Sequence, residues 1–206
     1  IYTSGTTGEP KGGVLSHANL VSNVSTCSTF FDLYPSTVAL SFLPLAHVFE
    51  RMIDYVLISS AATITYAESI EKLADNFGEV KPHTFASVPR VYDKIHARIF
   101  QNLENQSATK QKIFNWAVKV GRERLGFLEK KKPVPGALAL KHRIADRLVF
   151  SKIRARLGGR FQFCMSGGAP LSKDVAEFFW GAGVEVYEGY GLTETSPVLT
   201  CNRPGA

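Results

Sequence analysis

FQFCMSGGAPLSKDVAEFFWGAGVEVY, residues 161–187, places a β-rich run, a helical run and a second β-rich run one after another. Residues 161–165 are bulky and end at Ser-Gly-Gly, which predicts a strand followed by a turn. A helix is predicted from about residue 171 through Trp180, and the glycines that follow should end it. Residues 184–187 predict the next strand. A strand, a helix and a strand in this order indicate a βαβ unit, from which parallel sheets are built.

The same alternation extends through much of the chain. Runs rich in Val, Ile, Thr, Phe or Tyr predict four more strands, at residues 38–43, 62–66, 84–88 and 198–201. The clearest helices between them are one capped by Ser16 that continues to about residue 31, one capped by Ser69 that continues to about residue 77, and one that begins at Pro89. The fold class is therefore α/β, with a mainly parallel sheet flanked by helices.

The composition indicates a globular chain and excludes several classes of protein. With 206 residues, 45% of them hydrophobic and 20% charged, the chain has room for one large domain, or for a domain with a subdomain. Its three cysteines are far apart, which argues against a disulfide scaffold or a zinc site and favours a reducing, cytoplasmic compartment. No apolar run is long enough for a transmembrane helix. Since the first residue lies inside a motif and is not Met, we expect a piece of a longer protein.

The formal net charge of +6 comes from one segment. Residues 110–160 contain 15 Lys and Arg side chains and only three acidic ones, which leaves the rest of the chain acidic. This segment also interrupts the alternation, because it contains two long helical stretches separated by residues 130–136. We therefore expect a basic helical insertion on the sheet domain, at about residues 107–158. Such a segment can meet nucleic acid, anionic lipid or a polyanionic cofactor, or can be a solvated helical face.

Near the N-terminus, YTSGTTGEPKG at residues 2–12 has the composition of a phosphate-binding loop. Glycine lets the main chain approach a ligand, so that successive N–H groups can converge on an anion. The hydroxyls and Lys11 would add further donors. The loop is not the P-loop of the NTPases, because Pro10 and Gly12 stand where that motif needs Gly and Ser or Thr. A flexible surface linker is the alternative interpretation.

Two further motifs carry candidate ligand-binding residues. YEGYGLTETSP, residues 187–197, lies between two predicted strands and is expected to be a loop. In it, Tyr190 can offer its ring to a planar base, Thr193 can hydrogen-bond an anionic oxygen, and Glu194 can hold Mg²⁺. SGGAP, residues 166–170, follows a strand at the edge where open α/β sheets bind ligands. A tight turn between strand and helix would have the same composition.

These three motifs, in this order, closely resemble signature segments of the adenylate-forming enzymes, which include acyl-CoA synthetases, beetle luciferases and the adenylation domains of peptide synthetases. Within that group the chain is most similar to long-chain fatty-acid CoA ligases. The grounds are LPLAHVFER at 43–51, SVPRVYDKI at 87–95 and the basic helical segment before SGGAP. The similarity covers essentially the full chain but only the middle of such an enzyme, as part of its large AMP-binding N-terminal domain.

The resemblance implies a reaction in two steps. A medium-to-long-chain fatty carboxylate attacks the α-phosphorus of ATP with Mg²⁺, giving acyl-adenylate and pyrophosphate, and the thiol of coenzyme A then displaces AMP. Fatty acid, ATP and CoA are the implied partners, with no nucleic acid. The alternatives are transfer to a carrier protein or, for this piece alone, nucleotide or lipid binding without turnover. The resemblance places the ribose-binding aspartate, the hinge and the C-terminal domain outside the chain.

The resemblance also assigns roles to individual residues. The implied catalytic residues are His47, Thr193, Glu194 and Lys11. The β- and γ-phosphates would be held by Thr3, Ser4, Gly5, Thr6, Thr7, Gly8 and Lys11. The adenine and acyl pocket would be lined by Ser166, Gly167, Gly168, Ala169 and Pro170, and the nucleotide would also be bound by Glu188, Gly189, Tyr190, Gly191 and Thr193. Mg²⁺ would bind Glu194 and Thr6. His47 would position the acyl carboxylate, with a packed core histidine as the alternative.

Charged and apolar side chains interleave in the second half of the basic segment, as they do in an interfacial helix. The basic members are Lys141, Arg143, Arg147, Lys152, Arg154 and Arg156. The apolar members are Ile144, Leu148, Val149, Ile153 and Leu157. The pattern suggests peripheral contact with anionic lipid on the inner membrane face, where fatty acids partition. Packing of the apolar residues in the core is the alternative.

Overall fold

Six of the strands that the structure describes form one sheet. The structure is a computed structural model and describes residues 1–3 and 9–204. A short antiparallel hairpin, β1 Tyr2–Thr3 and β2 Lys11–Gly12, precedes the sheet. The sheet strands are β3 Val38–Ser41, β4 Thr63–Tyr66, β5 Ala86–Ser87, β6 Cys164–Ser166, β7 Val186–Gly191 and β8 Val198–Cys201. Their spatial order is β4-β3-β5-β6-β7-β8, because a parallel bridge between Ala39 and Thr84 joins β3 to the residues just before β5.

Helices cover both faces of this sheet. They are α1 His17–Cys27, α2 Val48–Ser59, α3 Leu73–Val80, α4 Pro89–Glu104, α5 Ala108–Glu129, α6 Gly136–Ala145, α7 Ser151–Arg156 and α8 Lys173–Gly181, with a π-helical turn, Asp146–Phe150, between α6 and α7. All neighbouring strands of the sheet are parallel except β7 and β8. The predicted fold class, a mainly parallel sheet flanked by helices, is therefore confirmed.

Hydrophobic clusters of the described residues lie on both faces of the sheet, because successive strand residues point to opposite sides. Ala39 and Ala86 pack with buried side chains of α1 and α2. Phe85, Cys164 and Val186 point the other way and pack with buried side chains of α3 to α8. The sheet is thus the middle of three layers.

The βαβ unit at residues 161–187 forms as the sequence predicts. Ser172 caps α8, and its hydroxyl accepts a hydrogen bond from the Val175 backbone N–H at 3.4 Å. The helix ends at Gly181, and the Trp180 indole then donates to the Val186 carbonyl at 3.0 Å. This bond fastens the end of α8 to the strand that follows it, so the turn between them is held at both sides.

Several predicted boundaries are wrong. The expected loop from Tyr187 is a strand as far as Gly191, because Gly189, Tyr190 and Gly191 find backbone partners in β8. That pairing outweighs the weak strand propensity of glycine. α1 ends at Cys27 instead of about residue 31, and α3 starts at Leu73 instead of directly after Ser69.

The basic segment folds into α5, α6, the π-helical turn and α7, and these helices share the larger core. Val149, Ile153 and Leu157 are buried in that core, so the expectation that they face a membrane is wrong. Arg154 is also engaged, because its Nη1 donates to Asp146 Oδ1 and to the Ala182 carbonyl, each at 2.7 Å. The apolar pattern of α7 therefore reflects core packing.

Candidate functional site

The order of the strands marks a crevice at the carboxyl edge of the sheet. The chain runs from β3 outward to β4 and then crosses to the opposite side of β3 to form β5. In open α/β sheets, ligands bind outside the carboxyl ends of the strands at such a switch point. Here the switch point lies between the loop after β3, residues 42–47, and the loops that follow β5 and β6.

His47 lies at the end of the loop after β3. It is the N-cap residue of α2, and its side chain is exposed. Two residues later, Phe49 packs against the SGGAP motif: a methyl group placed on Gly167 would lie only 2.8 Å from the Phe49 ring. The structure therefore brings the start of α2 and the SGGAP motif together, with the His47 side chain open to solvent beside them.

The SGGAP motif forms the end of β6 and the turn into α8. Ser166 is buried, and its hydroxyl has no hydrogen-bond partner among the described residues; the same holds for Ser87, its neighbour on β5. Residues 168–170 are exposed and accessible to a ligand. At the end of the motif, the Leu171 N–H donates to Glu188 Oε1 at 2.9 Å. Glu188 thus ties SGGAP to β7, the strand that carries the other candidate nucleotide-binding residues.

The N-terminal motif is partly described. Thr3 pairs with Lys11 in the hairpin, and the Thr3 hydroxyl donates to the Lys11 carbonyl at 3.5 Å. The Lys11 side chain is exposed. The predicted phosphate-binding residues Ser4, Gly5, Thr6, Thr7 and Gly8 lie outside the described residues. The hairpin strands nevertheless define where this segment leaves and rejoins the fold.

The base of this hairpin lies beside the third motif. Residues Ile1 and Gly13 exchange two backbone hydrogen bonds, of 2.7 Å and 3.0 Å, just beyond the paired strands. A methyl group placed on Gly13 would lie 3.8 Å from the Thr193 side-chain methyl. Residues from opposite ends of the chain therefore lie close together, with room for about one methyl group between Gly13 and the Thr193 side chain.

Residues 190–195 present the functional groups that the sequence predicts. Tyr190 is at the end of β7 with 62% of its surface exposed. A single 3₁₀ turn, Thr193–Thr195, follows, in which Thr193 is half-buried and Glu194 is exposed. The Leu192 N–H donates to the Thr195 hydroxyl at 3.0 Å and closes the turn. An aromatic face, a hydroxyl and a carboxylate are thus displayed within a few residues of one another.

The fit of Mg²⁺ to this turn can be judged from the donors present. Within the described ranges, Glu194 makes no hydrogen bond or ion pair, and no group of three or more His, Cys, Asp or Glu could enclose a metal ion. Mg²⁺ is commonly held by one or two carboxylates together with waters and phosphate oxygens of a nucleotide. A free carboxylate such as that of Glu194 fits that mode of binding and does not fit an all-protein metal cage.

One residue that connects the motifs was not predicted from the sequence. The Asn23 amide in α1 bonds both backbone groups of Val198: Nδ2 donates to the carbonyl at 2.9 Å, and Oδ1 accepts from the N–H at 3.2 Å. α1 follows the N-terminal hairpin, and Val198 follows the Thr193 turn. The hydrogen bonds of Asn23 therefore connect the segment after the hairpin to the segment after the turn. The available signal was a polar residue at helical spacing from Leu20 and Cys27 on the apolar side of α1.

The chain is similar to known proteins over nearly its whole length. The model of the family described as AMP-binding enzyme matches residues 1–206. The chain is 41% identical to long chain acyl-CoA synthetase 6 (peroxisomal) of Arabidopsis thaliana, covering 97% of this chain and 27% of that protein. It is 39% identical to the long-chain-fatty-acid–CoA ligase FadD15 of Mycobacterium bovis, covering 95% and 32%. The chain thus spans about a quarter to a third of the length of these curated relatives.

Solved structures with the same fold include two from bacteria. The ATP-bound MatB from Rhodopseudomonas palustris matches with a TM-score of 0.64 and 24% identity, over 100% of this chain and 31% of that one. The N-terminal domain of FACL13 from Mycobacterium tuberculosis matches with a TM-score of 0.62 and 20% identity, over 98% and 38%. The family model matches the chain over its whole length, and the fold is that of these structures. The chain therefore belongs to the AMP-binding enzymes.

Proposed function

We propose that the protein containing this chain activates a medium-to-long-chain fatty acid with ATP and transfers the acyl group to coenzyme A. The observation that carries the proposal is the close approach of Gly13, at the base of the N-terminal hairpin, to the side chain of Thr193 in the Thr193–Glu194 turn. One side of such a site can hold the leaving pyrophosphate while the other holds the rest of the nucleotide. The chain would be part of the large N-terminal domain, with residues 107–158 as its helical insertion.

The candidate groups of the site divide into roles according to their chemistry. Lys11 and the segment of residues 3–8 would bind the β- and γ-phosphates, because a mobile ammonium and loop N–H groups suit anions. Tyr190 would stack on adenine, and Thr193 would donate to the α-phosphate. Glu194 would hold Mg²⁺, which when bound neutralises charge on the phosphate oxygens. Thr6 would contribute to the same metal site.

The acyl group would enter near His47 and the SGGAP motif. His47 has no need to act as a base, since a carboxylate is already ionised at neutral pH, so its role would be to orient the attacking oxygen. Support for a long-chain substrate and for CoA comes from the two curated relatives, whose names state a long-chain acyl-CoA synthetase and a long-chain-fatty-acid–CoA ligase. Transfer of the acyl group to a carrier protein is the alternative.

The Lys11→Ala variant tests the proposal. In the full-length protein, kcat/KM for ATP should fall about tenfold to a hundredfold, because a charge-assisted bond to phosphate is lost. Fatty-acid binding should stay within about twofold, since in the proposal Lys11 contacts only phosphates. The measurement is fatty-acid-dependent exchange of labelled pyrophosphate into ATP, together with direct fatty-acid binding by the same variant.

A matched control is Lys119→Ala, which removes an exposed lysine from α5. It should leave the exchange unchanged. Equal loss of ATP use and fatty-acid binding in Lys11→Ala would mean that the hairpin is structural. Exchange that depends on amino acids and not on fatty acids in the wild-type protein would contradict the proposed substrate.

The surface proposed to meet a membrane is the exposed side of α6 and of the π-helical turn. Leu140, Ile144 and Leu148 follow one another at four-residue spacing and remain 59%, 46% and 43% exposed. Lys141, Arg143 and Arg147 are exposed around them. An exposed apolar stripe with basic neighbours suits an anionic bilayer, whose charge complements the lysine and arginines. This surface would bring a cytoplasmic enzyme into peripheral contact with lipid; none of the described helices is long and apolar enough to cross a bilayer.

Charge reversal tests this surface. A full-length variant with Lys141, Arg143 and Arg147 all changed to Glu should bind vesicles of phosphatidylserine and phosphatidylcholine about a hundredfold more weakly, since each basic residue near such a surface contributes about 1 kcal/mol. Sedimentation with the vesicles measures the effect. Reversal of Lys110, Lys112 and Lys119 on α5 is the control for net charge. Equal losses in both variants, or no loss in either, would contradict a specific lipid-facing stripe.

A further inference from the structure

Glu50 is a buried acid next to the crevice that the proposed reaction does not use. Only 1% of its surface is exposed. Its Oε1 accepts hydrogen bonds from the Ser41 hydroxyl at 2.6 Å and from the Phe42 N–H at 3.3 Å. Its Oε2 is also buried and has no partner among the residues that the structure describes. A carboxyl group therefore links the first turn of α2 to the end of β3 and to the start of the loop that carries His47.

The other end of that loop is held by the next residue of the same helix. Arg51 Nε donates to the Leu45 carbonyl at 3.0 Å. Glu50 thus fastens the beginning of the loop of residues 42–47 to α2, and Arg51 fastens the loop near its end. Phe49, in the same turn, packs against Gly167 of the SGGAP motif. The first turn of α2 thus sets the position of the His47 loop relative to the SGGAP loop.

Among the described residues, the groups that face Glu50 are acidic or neutral, and none of them is a cation. The titratable groups that face it are Asp54 one turn later on α2, Tyr66 on β4 and Cys27 on α1, around a cavity whose described lining includes no Lys or Arg. Asp54 is itself buried; its Oδ2 accepts from the Tyr66 hydroxyl at 2.9 Å, and its Oδ1 has no partner among the described residues. Burial, together with the Asp54 charge, raises the pKa of Glu50 to about 7.

We propose that Glu50 is a positioning residue, which holds the loop of residues 42–47 in the place where His47 can meet the acyl carboxylate. The effect of Glu50 on catalysis rests on the proposed function, but its ordering of the loop does not. Glu50 acts through the Phe42 backbone and the Ser41 hydroxyl, and it does not itself touch the substrate. The bond to Phe42 lies at the carboxyl end of β3, so its loss would free the loop where it leaves the sheet.

The raised pKa gives this role a pH dependence with a defined sign. An opening of the loop at Phe42 would admit water to the Glu50 carboxyl group. Burial is the main cause of its raised pKa and outweighs the lowering by the Phe42 hydrogen bond, so in the opened form the pKa would return towards the usual 4.5, and the proton is bound more tightly in the closed form. The closed loop is therefore fully favoured below about pH 4.5 and becomes less favoured as the pH rises to about 7. Above about pH 7 both forms are ionised and the effect levels off. The loop should open more often in mildly alkaline than in mildly acidic solution.

Amide hydrogen exchange in the full-length protein, without substrate, tests the ordering of the loop. After correction for intrinsic exchange rates, protection of the Phe42 amide should fall about tenfold or more between about pH 5.5 and about pH 8 in the wild type. In Glu50→Gln, which keeps an acceptor oxygen for Ser41 and Phe42 but cannot ionise, protection should be the same at both pH values. In Asp54→Asn, protection of the Phe42 amide should fall at a lower pH than in the wild type, because loss of the Asp54 charge lowers the pKa of Glu50. Equal pH dependence in wild type and Glu50→Gln would overturn the proposal.

Activity separates the positioning role from a general structural one. Glu50→Gln should retain the fatty-acid kcat/KM, whereas Glu50→Ala should lower it about tenfold or more while the KM for ATP stays within about twofold. A folded Glu50→Ala protein with normal fatty-acid kcat/KM would overturn the positioning role. If Glu50→Ala does not fold, the exchange comparison with Glu50→Gln decides alone. A wild-type protein without fatty-acid-dependent activity would contradict the proposed function and leave the exchange result as the separate test of Glu50.

Discussion

Replacement of Gly158 by Ala is expected to lower the free energy of unfolding by about 3–5 kcal/mol. Gly158 follows α7 and has φ of +101°, a conformation that side chains with a Cβ rarely adopt. An added methyl group would lie 2.7 Å from the Lys81 Cα and 2.9 Å from the Phe77 carbonyl oxygen. Both contacts are with backbone at the end of α3, which cannot rotate away. The packing of α7 against α3 therefore requires glycine at this position.

The neighbouring glycine supplies a matched control. Gly159 also has a left-handed backbone, with φ of +76°, but a methyl group there would approach nothing closer than 3.8 Å. Gly159→Ala should therefore cost only the backbone strain, about 1 kcal/mol. Urea unfolding of the two full-length variants, followed by circular dichroism, measures the difference. Equal losses would show that the close approach to α3 contributes nothing and that φ alone sets the cost.

Glu194→Gln is expected to slow formation of the acyl-adenylate at least about a hundredfold in the full-length protein. The exposed carboxylate on the turn Thr193–Thr195 is the group proposed to hold Mg²⁺ beside the phosphates. A neutral amide of the same shape keeps the turn, whose hydrogen bonds involve Leu192, Thr195 and Pro197 and not the Glu194 side chain. The loss should therefore appear in chemistry and in the Mg²⁺ concentration needed, with little change in stability.

Single-turnover formation of the adenylate over a Mg²⁺ series measures this effect. Glu79→Gln, which removes an exposed carboxylate from α3, is the control and should match the wild type. A Glu194→Gln rate within about threefold of the wild type would remove Glu194 from the metal site. A large loss with an unchanged Mg²⁺ requirement would assign the residue to substrate positioning instead.

Much of the fold could be predicted because its signals are local. The unit at residues 161–187 combines a capping Ser172, an apolar helix face and a terminal glycine, each of which acts within a few residues. The sequence does not predict where α2 begins and ends. Glu50 and Asp54 lie on its buried face and interrupt the helical spacing of apolar residues. The strand at residues 188–191 was missed for a related reason: its glycines favour a loop until β8 supplies backbone partners.

The candidate site also has features that the sequence predicts and features that only the structure shows. The chemistry of Lys11, Tyr190, Thr193 and Glu194 follows from residue type and motif, and the structure presents these side chains at the surface or half-buried. Residue type alone does not state that Gly13 lies beside Thr193, since the two residues stand near opposite ends of the chain; the family resemblance implied only that the two motifs share one nucleotide. The role of Asn23 was equally hidden, because its partner is the backbone of a strand formed much later.

The sequence by itself determined the alternation of strands and helices, the phosphate-binding composition of residues 2–12 and the family, because each is carried by neighbouring residues. Only the tertiary structure decided that Val149 and Ile153 enter the core while Leu140 and Ile144 stay exposed. It also decided that Glu50 is buried beside a second acid, Asp54, and has a raised pKa. The physical reason is that burial and electrostatic environment depend on which distant segments pack together, and residue order alone does not state this.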